Sequence, residues 1–367
     1  MGLHFKDENG NLALESVAEN RGACLVSGFC NRLHERGQIL NPTIYDVSRL
    51  SGVSTATVSR AFSDPEKVRE STRRKVFEAA EVLHYYPNAI ARAMARQRTD
   101  KIAFLICKKD ATILDEFYAS ICESIMKESN RSDYQLVIST AHDWTQTPST
   151  AQSRQIEGVI LGGSASADLV TEFQSRNTAV VMVNNRLPGV DVPYVLSDEY
   201  AGVRLVVEHL VSRGHKRIAM LAGRFSPYIV GERYNAFLSV VREFGLKVNP
   251  QHVKMCDADV ESAAQAAEEL LRQKERPTAV FGANDVIAAG IMKAARRLKL
   301  RVPEDVAVVG FDDSTICTML EPELTSVHIN CQKMGEIAME RLRALLAGEE
   351  CPTLTEVPVE LKVRGSS

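Results

Sequence analysis

The sequence has no long apolar run; none approaches the ~18 residues that a membrane-spanning helix needs. Its opening stretch, MGLHFKDENG, lacks the basic and apolar regions of a secretory signal, so the expectation is a cytoplasmic protein with no membrane partner. Eight cysteines, at 24, 30, 107, 122, 256, 317, 331 and 351, include no C-x-x-C pair and no pairing with histidine at zinc-finger distance. Scattered cysteines such as Cys107 and Cys256, in apolar runs, read as small buried hydrophobes in a reducing compartment. Motifs of chemistry are missing too. G-x-G-x-x-G, G-x-x-x-x-G-K-[ST] and H-E-x-x-H are all absent, and LGGSAS, the nearest approach to the first, lacks its third glycine. The expectation is therefore no enzyme, no cofactor and no metal. Excess charge is also lacking: 44 Lys and Arg stand against 47 Asp and Glu, a net of −3, which alone argues mildly against nucleic acid.

What is present is an ordinary globular composition, with 45% hydrophobic and 25% charged residues. A length of 367 residues, at ~150 per domain, suggests two or three units. From about 100 onward one pattern repeats. Strand-like runs at 101–107, 134–140, 157–163, 178–185, 216–223, 278–285 and 306–313 alternate with segments of helical period. In one of these, Tyr234, Phe237, Leu238 and Val241 recur at i, i+3, i+4 and i+7. Continuous apolar strands alternating with amphipathic helices predict parallel sheets covered on both faces. So many strands exceed one comfortable sheet, so two α/β subdomains are expected.

Residues 43–98 differ. They hold no strand-like run, only short helical patterns divided by turn residues. Thr43 can cap a helix carrying Ile44, Val47 and Leu50; Gly52 breaks it; Ser54 caps a second helix, STATVSRAF, which Asp64-Pro65 ends. Ser71 opens a third, with Val76, Ala80 and Leu83 inward, and Pro87 stops it. Here ten Lys and Arg face six Asp and Glu, a net of +4, so the basic charge is concentrated where a nucleic-acid face would be. Two helices joined by a glycine turn are helix-turn-helix arithmetic, although a generic helical hairpin has the same spacing. The small residues Thr55, Ala56 and Thr57 would let the second helix enter a major groove, with Arg60 reaching a base edge. The first 42 residues carry no usable motif.

TIYDVSRLSGVSTATVSRAFSDPEKVRESTRRKVFEAAEVLHYYPNAIARAMA closely resembles the DNA-binding headpiece of the lac-repressor (LacI/GalR) family of bacterial transcription regulators. The similarity runs on through HLVSRGHKRIAMLAG, RPTAVFGANDVIAAG, LRVPEDVAVVGFDD and LKVRGSS, in order, over roughly 43–365. The resemblance implies an α/β chain: an all-α helix-turn-helix headpiece at 43–86 and a hinge helix and linker at 87–99. A periplasmic-binding-protein-like body of two doubly wound parallel-sheet subdomains would follow at 100–365, about 100–198 with 329–357 and 199–328 with 358–365. Residues 1–42 would be a leader outside the family pattern.

By the same resemblance Thr55, Ala56 and Arg60 read bases, and Tyr45, Thr57, Ser59 and Asn88 touch phosphate. Thr57 and Ser59 could equally be helix surface, and Tyr45 core packing. Ala91 and Met94 would enter the minor groove, with Met94 in place of the usual leucine wedge. Arg233, Asn284 and Asp312 match effector-binding positions, although Asn284 or Asp285 could cap the helix after GAND, and Asp312 or Asp313 the segment after GFDD. Phe117, Phe225 and Tyr228 are candidate walls of the cleft, and Cys331 stands where relatives can have an aromatic effector contact. Lys108, Lys109 and Asp110 could favour an acidic sugar or form a solvated loop. The implied function is a homodimeric repressor on pseudo-palindromic, double-stranded operator DNA, answering to a sugar or sugar derivative held between the subdomains. The rival is a solute-binding protein without a DNA role.

Overall fold

The computed structural model describes residues 42–85, 99–107, 116–132, 134–140, 156–223, 227–247 and 249–367. The chain divides into two compact units, Met1–Ala95 and Arg96–Ser367, taken separately below.

In the first unit, three helices close on one small core. The carboxylate of Asp46 accepts from both the N–H (2.9 Å) and the hydroxyl (2.7 Å) of Thr43, which starts α1 (Ile44–Ser51) and holds Asp46 below the usual carboxylate range. Gly52 ends α1 at φ 71, a left-handed position that favours glycine, and its N–H returns to Ser48 O at 3.0 Å. Two residues later Ser54 Oγ accepts from Thr57 N–H at 3.2 Å and begins α2 (Thr55–Ser63). After a turn of 3₁₀ helix at Pro65–Lys67 comes α3 (Glu70–Val82), which starts one residue before the expected Ser71. Val47, Val58, Ala61, Val76, Ala79 and Ala80 are buried together, with Leu83 partly buried against them. A core of six small residues fixes the angle between α1 and α2 and leaves their outer faces free.

The second unit is built from two parallel sheets that the chain visits alternately. It lays down β1 (Lys101–Cys107), α4 (Glu116–Arg131), β2 (Gln135–Thr140), β3 (Gly158–Gly163), α5 (Ala167–Ser175), β4 (Ala179–Val183) and β5 (Tyr194–Ser197). Through α6 (Glu199–Ser212) it then enters β6 (Ile218–Gly223), α7 (Pro227–Glu243), β7 (Val253–Cys256), α8 (Val260–Leu271), β8 (Ala279–Gly282), α9 (Asp285–Arg297), β9 (Ala307–Asp312), the one-turn α10 (Ile316–Met319) and β10 (Thr325–Ile329). It returns to the first sheet by α11 (Cys331–Ala347) and β11 (Leu354–Val357), and finishes in the second with β12 (Val359–Lys362).

Strand order is β11-β5-β4-β3-β1-β2 in one sheet and β12-β10-β9-β8-β6-β7 in the other. All pairings are parallel except that of β12 with β10. The two orders match, and each sheet reverses its winding at its first strand: β1 lies between β2 and β3, and β6 between β7 and β8. Ligands of such sheets collect at the C-terminal ends of the strands near that reversal. The central strands β3 and β6 are buried at every residue, as strands covered on both faces must be.

Burial corrects one expected helix face. On α7 the inward residues are Arg233, Ala236, Phe237, Val240 and Val241, while Tyr234 and Leu238 are only half-buried at its margin. The true stripe is one residue off the apolar spacing because it includes an arginine. Gly202 shows how tightly α6 is set against the second sheet: a Cβ there would lie 2.5 Å from the Phe311 ring. That close approach places Glu199, at the start of α6, beside Arg233. Among the described residues no helix is long and apolar enough to cross a membrane.

Candidate functional site

In the first unit the expected base-reading residues lie on the outer face of α2. Ala56 and Arg60 are exposed and Thr55 half-buried, while Val58 and Ala61 on the opposite side face the core. Thr57 is half-buried, with its hydroxyl 2.9 Å from Ser54 Oγ, so it helps to cap the helix, and Ser59 is exposed. Tyr45 is 69% exposed, which removes the core-packing alternative for it. Asn88, Ala91 and Met94 lie outside the described residues.

In the second unit a cavity of about 700 Å³ opens at the C-terminal ends of the strands of both sheets. Arg233, Asn284 and Asp312 all line it. Arg233 is only 2% exposed and its donors are largely spent inside the protein. It pairs through Nε and a terminal nitrogen with Glu199, donates to the Ala283 carbonyl, and reaches Asp312 Oδ1 at 3.3 Å. Its guanidinium lies 3.7 Å above the Phe311 ring. Glu199 in turn accepts from Ser197 Oγ at 2.6 Å. Arg233 thus anchors a buried ion network at the cleft floor, and Asp312 carries that network to the cavity.

Asp312 has φ 106 and Asp313 φ 56, a left-handed stretch that non-glycine residues rarely adopt. Each is held by charge. Asp313 bonds Arg364 at 2.6 Å and His328 Nδ1 at 3.0 Å. Burial, opposed by Arg233, pushes the Asp312 carboxyl up to about 8, with Asp285 and Glu199 adding to the rise. Neither aspartate caps the following helix: α10 begins after Thr315 without a side-chain cap bond.

The two readings of GAND separate cleanly. Asn284 caps α9, its Oδ1 accepting from Ile287 N–H at 2.9 Å, which leaves its amide nitrogen for the cleft. Asp285 is not a cap. It is 1% exposed and accepts from Ser314 N–H (2.7 Å), Ser314 Oγ (2.9 Å) and Ser326 Oγ (2.5 Å), and burial raises its carboxyl above the ordinary value.

Several lining residues were not anticipated from sequence, among them Asn184, Tyr118, Glu116 and His328. Asn184, at the end of β4 with φ 56, is 9% exposed; it donates to the Tyr118 hydroxyl at 3.3 Å, and its buried Oδ1 has no hydrogen-bond partner among the described residues. Tyr118 itself forms wall beside Phe117. Glu116, on α4, accepts through Oε1 from Thr315 N–H (2.8 Å) and Oγ1 (2.5 Å), which ties the first subdomain to the second across the cavity. His328 completes the rim. An asparagine directly after a buried strand, as in VMVNN, was the available signal for Asn184. Of the other anticipated walls, Phe117 and Cys331 line the cavity, Tyr228 packs instead against the core of the first sheet, and Phe225, Lys108, Lys109 and Asp110 lie outside the described residues.

Residues 43–88 match the family model described as bacterial regulatory proteins, lacI family, and 207–367 match that of the periplasmic binding protein-like domain. Catabolite control protein A of Priestia megaterium is 31% identical over 341 residues, covering 89% of this chain and 100% of that protein. The chain belongs to the lacI family. A second lacI-family relative, the HTH-type transcriptional repressor CytR of Escherichia coli (strain K12), is 31% identical over 89% of this chain and 96% of its own. The lac repressor dimer bound to operator and the anti-inducer ONPF superposes with a TM-score of 0.77 at 25% identity, covering 89% of this chain and 99% of that one. The complex of the transcriptional regulator CelR with cellobiose gives 0.68 at 29% identity, covering 89% and 100%. This lacI-family chain is accordingly a DNA-binding transcription regulator and not an enzyme.

Proposed function

We propose that the chain is a repressor that acts as a homodimer on a pseudo-palindromic operator and is controlled by a small carbohydrate-like effector in the cleft. Thr55, Ala56 and Arg60 read base edges; Tyr45, Thr57, Ser59 and Asn88 contact phosphates; Ala91 and Met94 enter the minor groove. Arg60 supplies the strongest contact, since arginine on guanine is the commonest specific pairing. One recognition helix covers only a half-site, so two copies are needed. The functional units are the headpiece at 43–86, the hinge at 87–99 and the effector body at 100–365.

The observation that carries this reading is the outer face of α2, where Ala56, Ser59 and Arg60 are exposed while Val58 and Ala61 behind them pack into the small core. The cavity supports its control by a ligand, for about 700 Å³ falls in the range of small-molecule sites. Asn284 and Asp312 offer it a donor and an acceptor, and Arg233 fixes Asp312 from behind. The Glu116–Thr315 tie spans the two subdomains, so a ligand that changes their separation must break or strengthen it. By linkage, operator DNA and effector alter each other's affinity by the same factor. Selecting bound genomic fragments with the full chain tests the reading: enrichment of inverted half-sites is expected, and no retained fragment, with or without sugars, overturns it.

A further inference from the structure

One carboxylate holds the point at which the chain enters the second unit. Thr99 and Asp100, the first described residues after Tyr85, both give their backbone N–H to Glu157 Oε1, at 2.5 and 2.9 Å. Their partner lies 58 and 57 positions away in sequence, directly before β3, and its own backbone is fixed on both sides. Glu157 N–H bonds Lys101 O at 2.8 Å, and its carbonyl accepts from Ala179 N–H at 2.9 Å. Asp100 has φ 51, a left-handed turn that non-glycine residues rarely adopt, and its carbonyl accepts from Gln135 N–H at 2.8 Å. The turn is thus pinned to β2 through its carbonyl and to Glu157 through its N–H. From this anchor β1 and β3 run side by side for about 20 Å to the cavity, whose wall includes Cys107 and Gly163 at their far ends.

We propose that Glu157 is a positioning residue for operator binding: it fixes where and in which direction the linker leaves the body, and so sets the half-site spacing that the protein accepts. The inference rests on the reading of the chain as a homodimer on two half-sites. In such a dimer each headpiece reaches its half-site on a linker that ends at Thr99, so freedom at that residue becomes freedom in the separation of the two headpieces. Fixing the backbone of one residue costs the equivalent of a factor of about five to thirty in affinity. The bonds to Glu157 have ordered two residues before DNA arrives. Both N–H groups meet the same oxygen, so the geometry needs one acceptor at the reach of a glutamate side chain. Charge strengthens these bonds, yet a glutamine oxygen in the same place accepts both, whereas aspartate is one methylene too short. Because β1 and β3 also line the cavity, a displacement of the first subdomain carries the linker's anchor with it.

The test is DNA binding by the full chain, on an operator recovered by fragment selection and on versions with one or two base pairs inserted or removed between its half-sites. Each base pair added turns the second half-site by about 35° about the duplex axis, so the wild type is expected to lose at least about tenfold in affinity on the altered DNAs. Glu157→Ala frees two linker residues. Its affinity for the parent operator should fall about fivefold or more, and its discrimination against altered spacing should shrink to about threefold or less. Glu157→Gln should keep both properties. Glu157→Asp should behave as the alanine variant does, and decides the matter should that variant not fold. Asp305→Ala is the control, for it removes a carboxylate that accepts from a backbone N–H, that of Arg301 at 2.8 Å, in the second subdomain. It should lower the urea midpoint and leave spacing discrimination whole. A wild type indifferent to spacing overturns the inference, as does an Asp305→Ala variant that loses the discrimination. Paired half-sites selected by the wild type, with discrimination unchanged in Glu157→Ala, sink only this inference; a wild type that selects no paired half-sites sinks the homodimer reading itself.

Discussion

The headpiece and the cleft use charged residues in opposite ways. On the outer face of α2, Arg60 is exposed, and what fixes it is an apolar core of small residues on the other side of the helix. At the cleft floor, Arg233 is buried, stacked on Phe311 and bound to two carboxylates and a carbonyl. The first arginine is exposed, with its donors available to the DNA partner proposed for it; the second has given them to the fold. The lesson is that a functional position need not hold a functional donor. In the cleft the arginine orders Asp312, which lines the cavity proposed for the effector.

The largest expected effect breaks this contrast at its buried end. Arg233→Met leaves Glu199 and Asp312 facing each other without their cation, and removing one partner of a buried pair costs about 3–5 kcal/mol. Urea unfolding should show that loss. If instead stability is kept and only the ligand response disappears, Arg233 is a free ligand donor and the contrast fails.

Asp312→Asn probes the same network through pH. Because the folded protein holds Asp312 up at about 8, well above its ordinary value, its ionisation opposes folding. Its stabilising share is complete below about pH 4 and is lost as pH rises towards 8. The effect is smaller than that of Arg233→Met, since the side chain is 24% exposed and water screens part of it. Between pH 5 and 8.5 the wild type should lose stability more steeply than the variant, in which the like-signed contribution of buried Asp285 remains, set against the opposite-signed one of His209 and His215, whose values burial lowers. Working above pH 5 avoids exposed carboxylates such as Glu243 and Asp305, whose lowered values give the opposite slope at lower pH. Equal slopes would remove Asp312 from the buried network.

The same contrast explains what the sequence revealed. The longer strands were legible because β1, β3 and β6 are continuous apolar runs, whereas β5, β7, β11 and β12 are four residues each, too short for periodicity to distinguish. The helix that carries the proposed recognition residues could be located because a cap, a glycine turn and a small-residue face are local signals. The cleft network is not local. Glu199 and Arg233 meet only because Gly202 lets α6 approach Phe311, and Glu116 reaches Thr315 across 199 positions of sequence. Resemblance located Arg233, Asn284 and Asp312, but could not say that one is spent on the fold and another on a helix cap.

At the exposed end, Arg60→Ala should weaken operator binding by ~1–3 kcal/mol and relax preference at one base pair per half-site. Binding-site selection with the variant reads both. Unchanged preference would make Arg60 a phosphate contact and bring the headpiece closer to non-specific electrostatics.

The smallest effect separates presenting a residue from using it. Ser54 and Asn284 are both helix N-caps, accepting from Thr57 N–H at 3.2 Å and Ile287 N–H at 2.9 Å. Losing such a cap costs ~1 kcal/mol. Ser54→Ala should therefore fray the first turn of α2 and lower affinity for all operators alike, leaving base preference intact, unlike Arg60→Ala. Asn284→Ala removes an equivalent bond in the other unit, where its amide nitrogen also faces the cavity; it should spare operator affinity without ligand while weakening the response to one. Titrating one operator and one single-base variant of it with each protein distinguishes these outcomes. If Ser54→Ala shifts preference between the two DNAs, the helix N-terminus itself reads sequence, and presentation and recognition in the headpiece are a single property of that turn.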